Sequence, residues 1–327
     1  MDLSIFIMFY PFLLTLYSFF MPFLSNFLYN TKTNKQGISQ MKKVSVAHSP
    51  DADDIFMYYA IKFGWVTLEN TEFENIALDI QTLNFEALKN TYDITAISFA
   101  LYPLIKDEYA LLKTAVSFGE GYGPKVVKLK EKTLKPNFKV AISGEHTTNA
   151  MLFKIAYPKA KIIYKNFLEI EDAVLKGEVD AGVLIHESIL TFDENLEVER
   201  ELWDIWCELS GGDLPLPLGG MALRRSLPLS SAIEYEETLI KAVHVANAHR
   251  PLLSKMLLER NLIRVDAPTL EKYLNLYAND TSIQMNELQY KAIDKLFEIG
   301  YNHGFYETLI RAEDFLIPSE YQELRNS

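Results

Sequence analysis

The stretch Val179-Asp180-Ala181-Gly182-Val183-Leu184-Ile185-His186-Glu187-Ser188 decides how the chain is read. Residues 181–185 form a short apolar run rich in branched side chains, with Gly182 inside it and Gly177 just upstream. A run this short, broken by glycine, predicts a buried strand and not a helix. The polarity changes abruptly at His186-Glu187-Ser188. Ligands of open α/β sheets bind beyond the carboxyl ends of strands, so the pattern puts His186 where a substrate would lie. Two readings of His186 stand on the local sequence. The imidazole faces a ligand, or it caps the strand through a backbone hydrogen bond. On a strand, Glu187 would point to the opposite face, which argues against it as the group that orients the ring.

Strands and helices alternate on both sides of this run. Upstream, residues 43–47 read as a strand, 49–54 as a polar loop and 55–63 as a helix, with Asp53 or Asp54 as N-cap and Gly64 at its end. Residues 73–79 read as a strand, 82–89 as a helix, and 94–97 as a strand ending at Ser98. Gly119, Gly121 and Gly123 look like a phosphate cradle, but no strand–loop–helix follows at the required spacing, so they read as a turn or hinge before a strand at 125–129. Residues 139–142 open a second α/β unit. Ser143-Gly144-Glu145-His146-Thr147-Thr148-Asn149 follows, then a helix over 150–156. A glycine turn leading to hydroxyls at a helix start is a good seat for an anion; one threonine there is equally explained as an N-cap. A strand at 160–164 and a helix at 170–176 lead to the His186 strand.

Residues 203–209 read as an aromatic helix. In the following Gly211-Gly212-Asp213-Leu214-Pro215-Leu216-Pro217-Leu218-Gly219-Gly220, the spaced prolines forbid a helix and favour extended chain, with a strand at 221–225. The remainder is helical by pattern, near 236–249, 257–277 and 286–301. Two α/β units joined by two extended crossings predict two lobes around a cleft: residues 41–124 with 220–327, and residues 125–219. Bilobal solute-binding proteins, which close around ligands, are built this way.

The chain of 327 residues is 49% apolar and 23% charged, which suits a globular protein with a sizeable core. A net charge of -12 without a basic cluster argues against nucleic acid as a partner. The single Cys207 excludes an intramolecular disulfide and a cysteine metal cluster. The histidines at 48, 146, 186, 244, 249 and 303 lack metal-site spacing, so no metal is expected. Residues 3–30 carry no charge and are long enough to cross a bilayer, although Pro11, Pro22 and Asn26 weaken them as one helix. The lysines at 32, 35, 42 and 43 would keep the body cytoplasmic if the segment inserts. The alternative is that translation begins at Met41, in which case the 1–40 extension is never made and there is no membrane association.

Four motifs carry a resemblance. Ser49-Pro50-x-x-Asp53-Asp54-x-Phe56, Ser143-Gly144-x-His146-Thr147-Thr148, Gly182-Val183-Leu184-Ile185-His186-Glu187 and Leu214-Pro215-Leu216-Pro217-Leu218-Gly219 resemble, in order and spacing, the 1,4-dihydroxy-6-naphthoate synthase family of the futalosine route to menaquinone. The resemblance runs from about Val44 to Tyr301 and leaves out residues 1–40. It implies an α/β, two-lobed, periplasmic-binding-protein-like (type 2) fold, and a cytoplasmic carbon–carbon lyase that converts cyclic dehypoxanthine futalosine to 1,4-dihydroxy-6-naphthoate. It implies His186 as general base, with Ala96, Ile97, Ser98, Thr147 and Thr148 holding the substrate. No cofactor is implied. Family members often carry Cys-Pro-Asn-Asp in the first loop, where this chain has Asp51-Ala52-Asp53-Asp54, so a role for the first two positions does not carry over. A neutral imidazole with an ordinary pKa of about 6.5 suits proton abstraction at neutral pH. A non-catalytic solute-binding protein and a chorismate dehydratase on the same scaffold are the competing readings; neither is expected to need the Ile-His-Glu motif as a base.

Overall fold

The computed structural model describes residues 41–212 and 214–318; the expectations for residues 1–40 lie outside them. The fold proper is a compact unit beginning at Lys43. Strand β1 (Lys42–His48) leads into helix α1 (Ala52–Lys62), β2 (Thr71–Ala77) into α2 (Ile80–Leu88), and β3 (Ile94–Ser98) into a 3-10 turn and the short α3 (Tyr102–Ile105). β4 (Tyr109–Leu111), β5 (Ser117–Gly119), β6 (Lys125–Leu129) and β7 (Lys139–Ile142) follow, then α4 (Thr148–Ala156), β8 (Lys161–Tyr164), α5 (Ile170–Leu175) and β9 (Ala181–Leu184). β10 (Leu196–Glu201), α6 (Leu202–Ser210) and β11 (Leu216–Arg224) precede the helices α7 (Leu229–Ala248), α8 (Arg250–Glu259), α9 (Ala267–Tyr277), α10 (Asp280–Ile283) and α11 (Glu287–Asn302).

The strands form two sheets. One has the order β2-β1-β3-β11-β4, with β5 also on β11; the other has the order β10-β6-β9-β7-β8. The chain crosses between them twice, from β5 to β6 and from α6 back to β11. β1 and β3 run parallel, as do β7 with β8 and β9, while β6 and β11 run antiparallel to their neighbours. Every residue of β3 and of β9 is buried, which explains why both read as continuous apolar runs without alternation.

Gly182 is needed by packing. A Cβ there would lie 2.5 Å from Ile170 Cγ2 and 2.9 Å from Val174 Cγ2, so α5 can rest on β9 only because this strand residue has no side chain. The strands at 125–129 and 139–142 fall where the sequence puts them. Other boundaries differ for identifiable reasons. Helix α1 begins at Ala52, before the expected 55, and its N-cap is Asp51, not Asp53 or Asp54; the Asp51 side chain makes no capping bond. Helix α4 begins at Thr148 because Thr147 Oγ1 accepts from the Ala150 N–H at 3.1 Å. The helical run at 257–277 is two helices, separated around Ile263, with Asp266 capping the second through the Thr269 N–H at 3.0 Å. β4 and β5 are only three residues long and β10, although Leu196-Glu197-Val198-Glu199 alternates, is mostly charged; the sequence reading places no strand at any of the three. Pro217 sits inside β11, where the partner register shifts between Pro217 and Gly219, the irregularity that a residue without an N–H requires. No helix among the described residues is long and apolar enough to cross a membrane.

Replacing Gly182 with Ala should lower stability by about 1–3 kcal/mol, the usual cost of overpacking a filled core. The check is the denaturant midpoint, which should fall; an unchanged midpoint would mean that α5 does not rest on this strand as described.

Candidate active site

The parallel strands β1, β3, β7 and β9 point their carboxyl ends at one place, and each hands it a polar residue: Ser49, Ser98, Ser143 and His186 line a single cavity of about 100 Å³. Ala96, Ile97, Ser98, Thr147, Thr148 and His186 all border it, so the residues singled out from sequence are brought together. Six buried polar atoms of this lining lack a hydrogen-bond partner: Ser49 Oγ, Asp51 Oδ1, Asp53 Oδ1, Ser143 Oγ, Asn149 Oδ1 and His186 Nε2. Buried polar groups are normally satisfied, and leaving one unmade costs about 1–3 kcal/mol. So many in one cavity mark a surface shaped for a polar ligand.

His186 does not lie on a strand. β9 ends at Leu184, Ile185 is extended, and His186 begins a 3-10 turn with φ +55°. A non-glycine residue in the left-handed region carries strain of about 1–3 kcal/mol and persists only where its surroundings hold it. Here they do. Nδ1 of His186 is paired with Asp51 Oδ2, and the Phe167 ring meets the imidazole edge-on at a centroid distance of 4.7 Å. The Arg264 guanidinium lies 5.1 Å from the centre of that Phe167 ring. Asp51 is therefore the orienting partner, a position that the family comparison of motifs left without a role.

Glu187 is not a catalytic neighbour but a brace. Its Oε1 accepts from the Ala52 N–H at 2.9 Å, and its Oε2 lies 3.7 Å from Arg264. Glu187 thereby takes over the capping that the Asp51 side chain gives up, and fixes the start of α1 against the His186 turn. Because His186 and Glu187 lie in a turn, the strand alternation expected of them does not apply. The loop is held from the other side as well. Asp54 Oδ2 accepts from the Ser49 N–H at 2.8 Å. The Asn75 amide donates to His48 Nε2 at 2.7 Å, which leaves the His48 ring proton on Nδ1 to donate to Ser49 O at 2.6 Å.

The electrostatics divide the acids. Burial works against an Asp51 anion, but the His186 charge and hydrogen bond outweigh it, and the carboxyl sits below its usual range. Burial likewise works against a His186 cation, and Asp51 overcomes it, so the imidazole is raised above its ordinary value. This corrects the expectation of an unperturbed ring. Asp53 and Asp54 are pushed well above the carboxylate range, by burial first and then by the neighbouring Asp51 charge. Asp53 Oδ2 accepts from Ser117 Oγ at 2.8 Å. Asp51, Asp53 and His186 bring one donor atom each within 4.8 Å of one another. Within this trio His186 Nδ1 is already taken by Asp51.

At the opposite wall, the Asn84 side chain grips Ser98 twice. Its Nδ2 donates to Ser98 Oγ at 3.1 Å and its Oδ1 accepts from the Ser98 N–H at 3.0 Å, leaving the serine O–H free to donate. Both threonine hydroxyls are used internally. Thr147 Oγ1 caps α4 and donates to Gly144 O at 3.0 Å; Thr148 Oγ1 donates to Leu218 O at 3.3 Å and accepts from the Ala100 N–H at 3.4 Å. What the segment offers a ligand is the N-terminus of α4, whose first-turn N–H groups and dipole favour an anion. Gly144 permits the close approach here, since a Cβ would lie 2.9 Å from Thr147 Cγ2 and 3.2 Å from Gln81 Cβ. Ser117, Ser143, Tyr273 and Tyr277 complete the cavity and were missed in the sequence. Ser143, just past the carboxyl end of β7, shares the position that flagged His186; Ser117, which opens β5, and the tyrosines have no such signal.

A family model described as menaquinone biosynthesis matches residues 44–302. A 1,4-dihydroxy-6-naphthoate synthase of Thermus thermophilus is 29% identical over 260 residues, covering 79% of this chain and 93% of its own. One of Streptomyces coelicolor is 28% identical over 277 residues, covering 81% and 95%. Among solved structures, a protein of Archaeoglobus fulgidus is 35% identical, with a TM-score of 0.74 over 80% of this chain and 98% of that one. The periplasmic aliphatic sulphonate binding protein of Escherichia coli is similar in fold alone, at 10% identity and a TM-score of 0.58 over 84% and 97% of the two chains. The architecture is thus that of periplasmic binding proteins.

In a ring-proton NMR titration of the ligand-free protein, His186 should titrate above about 6.5, and clearly lower in Asp51→Asn, because burial then loses its main opponent. An unchanged midpoint in Asp51→Asn would show that Asp51 does not set the imidazole's proton affinity.

Proposed function

The chain belongs to the menaquinone-biosynthesis family, and from that premise we propose that it is a lyase that converts cyclic dehypoxanthine futalosine to 1,4-dihydroxy-6-naphthoate, with His186 as general base. The observation that carries the reading is His186 Nε2: buried, without a partner, bordering the cavity, and on a ring whose other nitrogen is held by Asp51. A base needs this arrangement. One nitrogen is fixed by an acceptor that stabilises the imidazolium, and the other is free to take a proton. The product is aromatic, so its formation requires loss of protons from the ring and cleavage of the bond to the spiro carbon. Nε2 accepts the proton, and Asp51 stabilises the cation that results.

The remaining groups bind. The N-terminus of α4 and Ser143 Oγ suit the substrate carboxylate, and the Ser98 O–H, aimed by Asn84, suits an oxygen that gains charge as the bond breaks. Ala96 and Ile97 supply apolar wall beside it, together with the backbone of β11, where Ile97 faces Gly220 and Ser98 faces Gly219. A Cβ at Gly220 would lie 2.8 Å from the Phe99 ring, so this wall has to stay thin. A solute-binding protein would have no use for the His186–Asp51 pair, which favours the enzyme.

Incubation with cyclic dehypoxanthine futalosine should yield the naphthoate, detected by mass. His186→Ala should fold and bind substrate, and should lose roughly 10²–10⁴-fold in kcat, with KM little changed. Tight binding without product in the wild type, or a His186→Ala variant that keeps kcat and loses only affinity, would contradict the assignment.

A further inference from the structure

We propose that Asp53 is a neutral carboxylic acid that donates a hydrogen bond to Asp51, so that Ser117, Asp53, Asp51 and His186 form one chain in which Asp53 sets how tightly His186 holds its proton. The proposal deepens the reading of His186 as the base and rests on it for its catalytic meaning.

The geometry begins with two orphans. Asp51 and Asp53 bring one carboxylate oxygen each within 4.8 Å of the other, and each has a buried Oδ1 without a partner; the Ser49 hydroxyl also bears on Asp51, but among the described residues no such group reaches Asp53 Oδ1. Two adjacent carboxylates have only acceptors to offer each other; a single proton between them supplies the missing donor. Asp51 has His186 against it and is the anion of the two. Asp53 has no cation of its own. The titratable and charged groups around the pair are His48 at the end of β1, whose ring burial pushes towards the neutral form, Asp54 on α1, Glu187 in the turn after β9, Tyr122 between β5 and β6, and Tyr273 and Tyr277 on α9. The cations that reach this region are spent elsewhere, His186 on Asp51 and Arg264 on Glu187. An ionised Asp53 would thus be a buried, unpaired charge, which is among the costliest arrangements in a protein. Burial and the Asp51 charge both push the Asp53 carboxyl well above its usual range, in the direction of the neutral acid. As an acid, Asp53 uses both oxygens: Oδ2 accepts from Ser117 Oγ at 2.8 Å, and the O–H donates to Asp51.

The functional consequence follows from charge. A full Asp51 anion, alone with His186, would hold the ring as an imidazolium and starve it of the basic form. A hydrogen bond donated by Asp53 draws charge off Asp51 and lets His186 release its proton more readily. Asp53 is therefore a positioning residue, acting through Asp51 and not on the substrate.

The test is the His186 ring-proton titration in the ligand-free full chain, so its outcome is separate from that of the turnover assay. Asp53→Asn is isosteric; its amide N–H can donate to Asp51 while its carbonyl accepts from Ser117, and the His186 midpoint should stay at the wild-type value. Asp53→Ala removes the donor, and the midpoint should rise by a fraction of the roughly one to two pH units that a hydrogen bond to a charged group is worth, since the effect passes through Asp51, with the ascending limb of kcat/KM moving with it. If Asp53 were instead an anion, Asp53→Asn would remove a negative charge and lower the midpoint, and that result overturns the proposal. So does an unchanged midpoint in a folded Asp53→Ala. If Asp53→Ala fails to fold, Asp53→Asn still decides, together with the infrared band of a protonated carboxyl. Asp54 is pushed the same way and contributes to the same region, so the readout is the difference: Asp53→Asn should remove part of the wild-type band, and an undiminished band overturns the proposal.

Discussion

Asp51 is a carboxylate that the fold can bury only because His186 meets it from the other sheet's side of the cavity. Neither group is stable there as a lone charge; burial opposes the ionised form of both. Much of the local structure serves this pairing. Helix α1 gives up its N-cap side chain so that Asp51 can reach the imidazole, and Glu187 restores the missing acceptor at Ala52. The chain at His186 adopts a left-handed backbone to aim the ring, and Phe167 with Arg264 backs it. Removing one partner of such a buried pair typically costs about 3–5 kcal/mol, since the other is left uncompensated.

The same constraint explains how a binding-protein scaffold can carry chemistry. A cavity lined by strand ends and a helix N-terminus recognises a polar ligand without any catalytic group. The Asp51–His186 pair adds a site for a proton, and the free Nε2 puts that site against the ligand. The acids beside it do not favour further charge, because burial and the Asp51 anion push both Asp53 and Asp54 towards their neutral forms.

Much of this was legible in the sequence where one local signal decided the outcome. The apolar run of β9 announced a buried strand and the polarity switch at its end announced His186, whereas Ser98 was reached only through the family resemblance. The residues of the Ser143–Asn149 turn were read as a helix start, and they are one; which threonine caps it was settled only by the hydrogen bond from Ala150. What escaped the sequence was pairing across distance. Asp51 and His186 are joined by neither periodicity nor spacing, and Glu187 was judged by strand alternation although it lies in a turn. Tyr273 and Tyr277 reach the cavity from a helix near the end of the chain, with the ordinary spacing of a buried helix face. β11 is half hidden because Pro217 masks a strand whose partners lie roughly a hundred residues or more away in sequence.

The central claim is that Asp51 and His186 act as one catalytic unit, and a double-mutant cycle on kcat tests it most directly. Residues that work as a unit are strongly non-additive. The account predicts that Asp51→Asn lowers kcat in the wild-type background and has little further effect once His186 is alanine. Losses that simply multiply in the double variant would show that the two residues contribute independently, and would contradict the account.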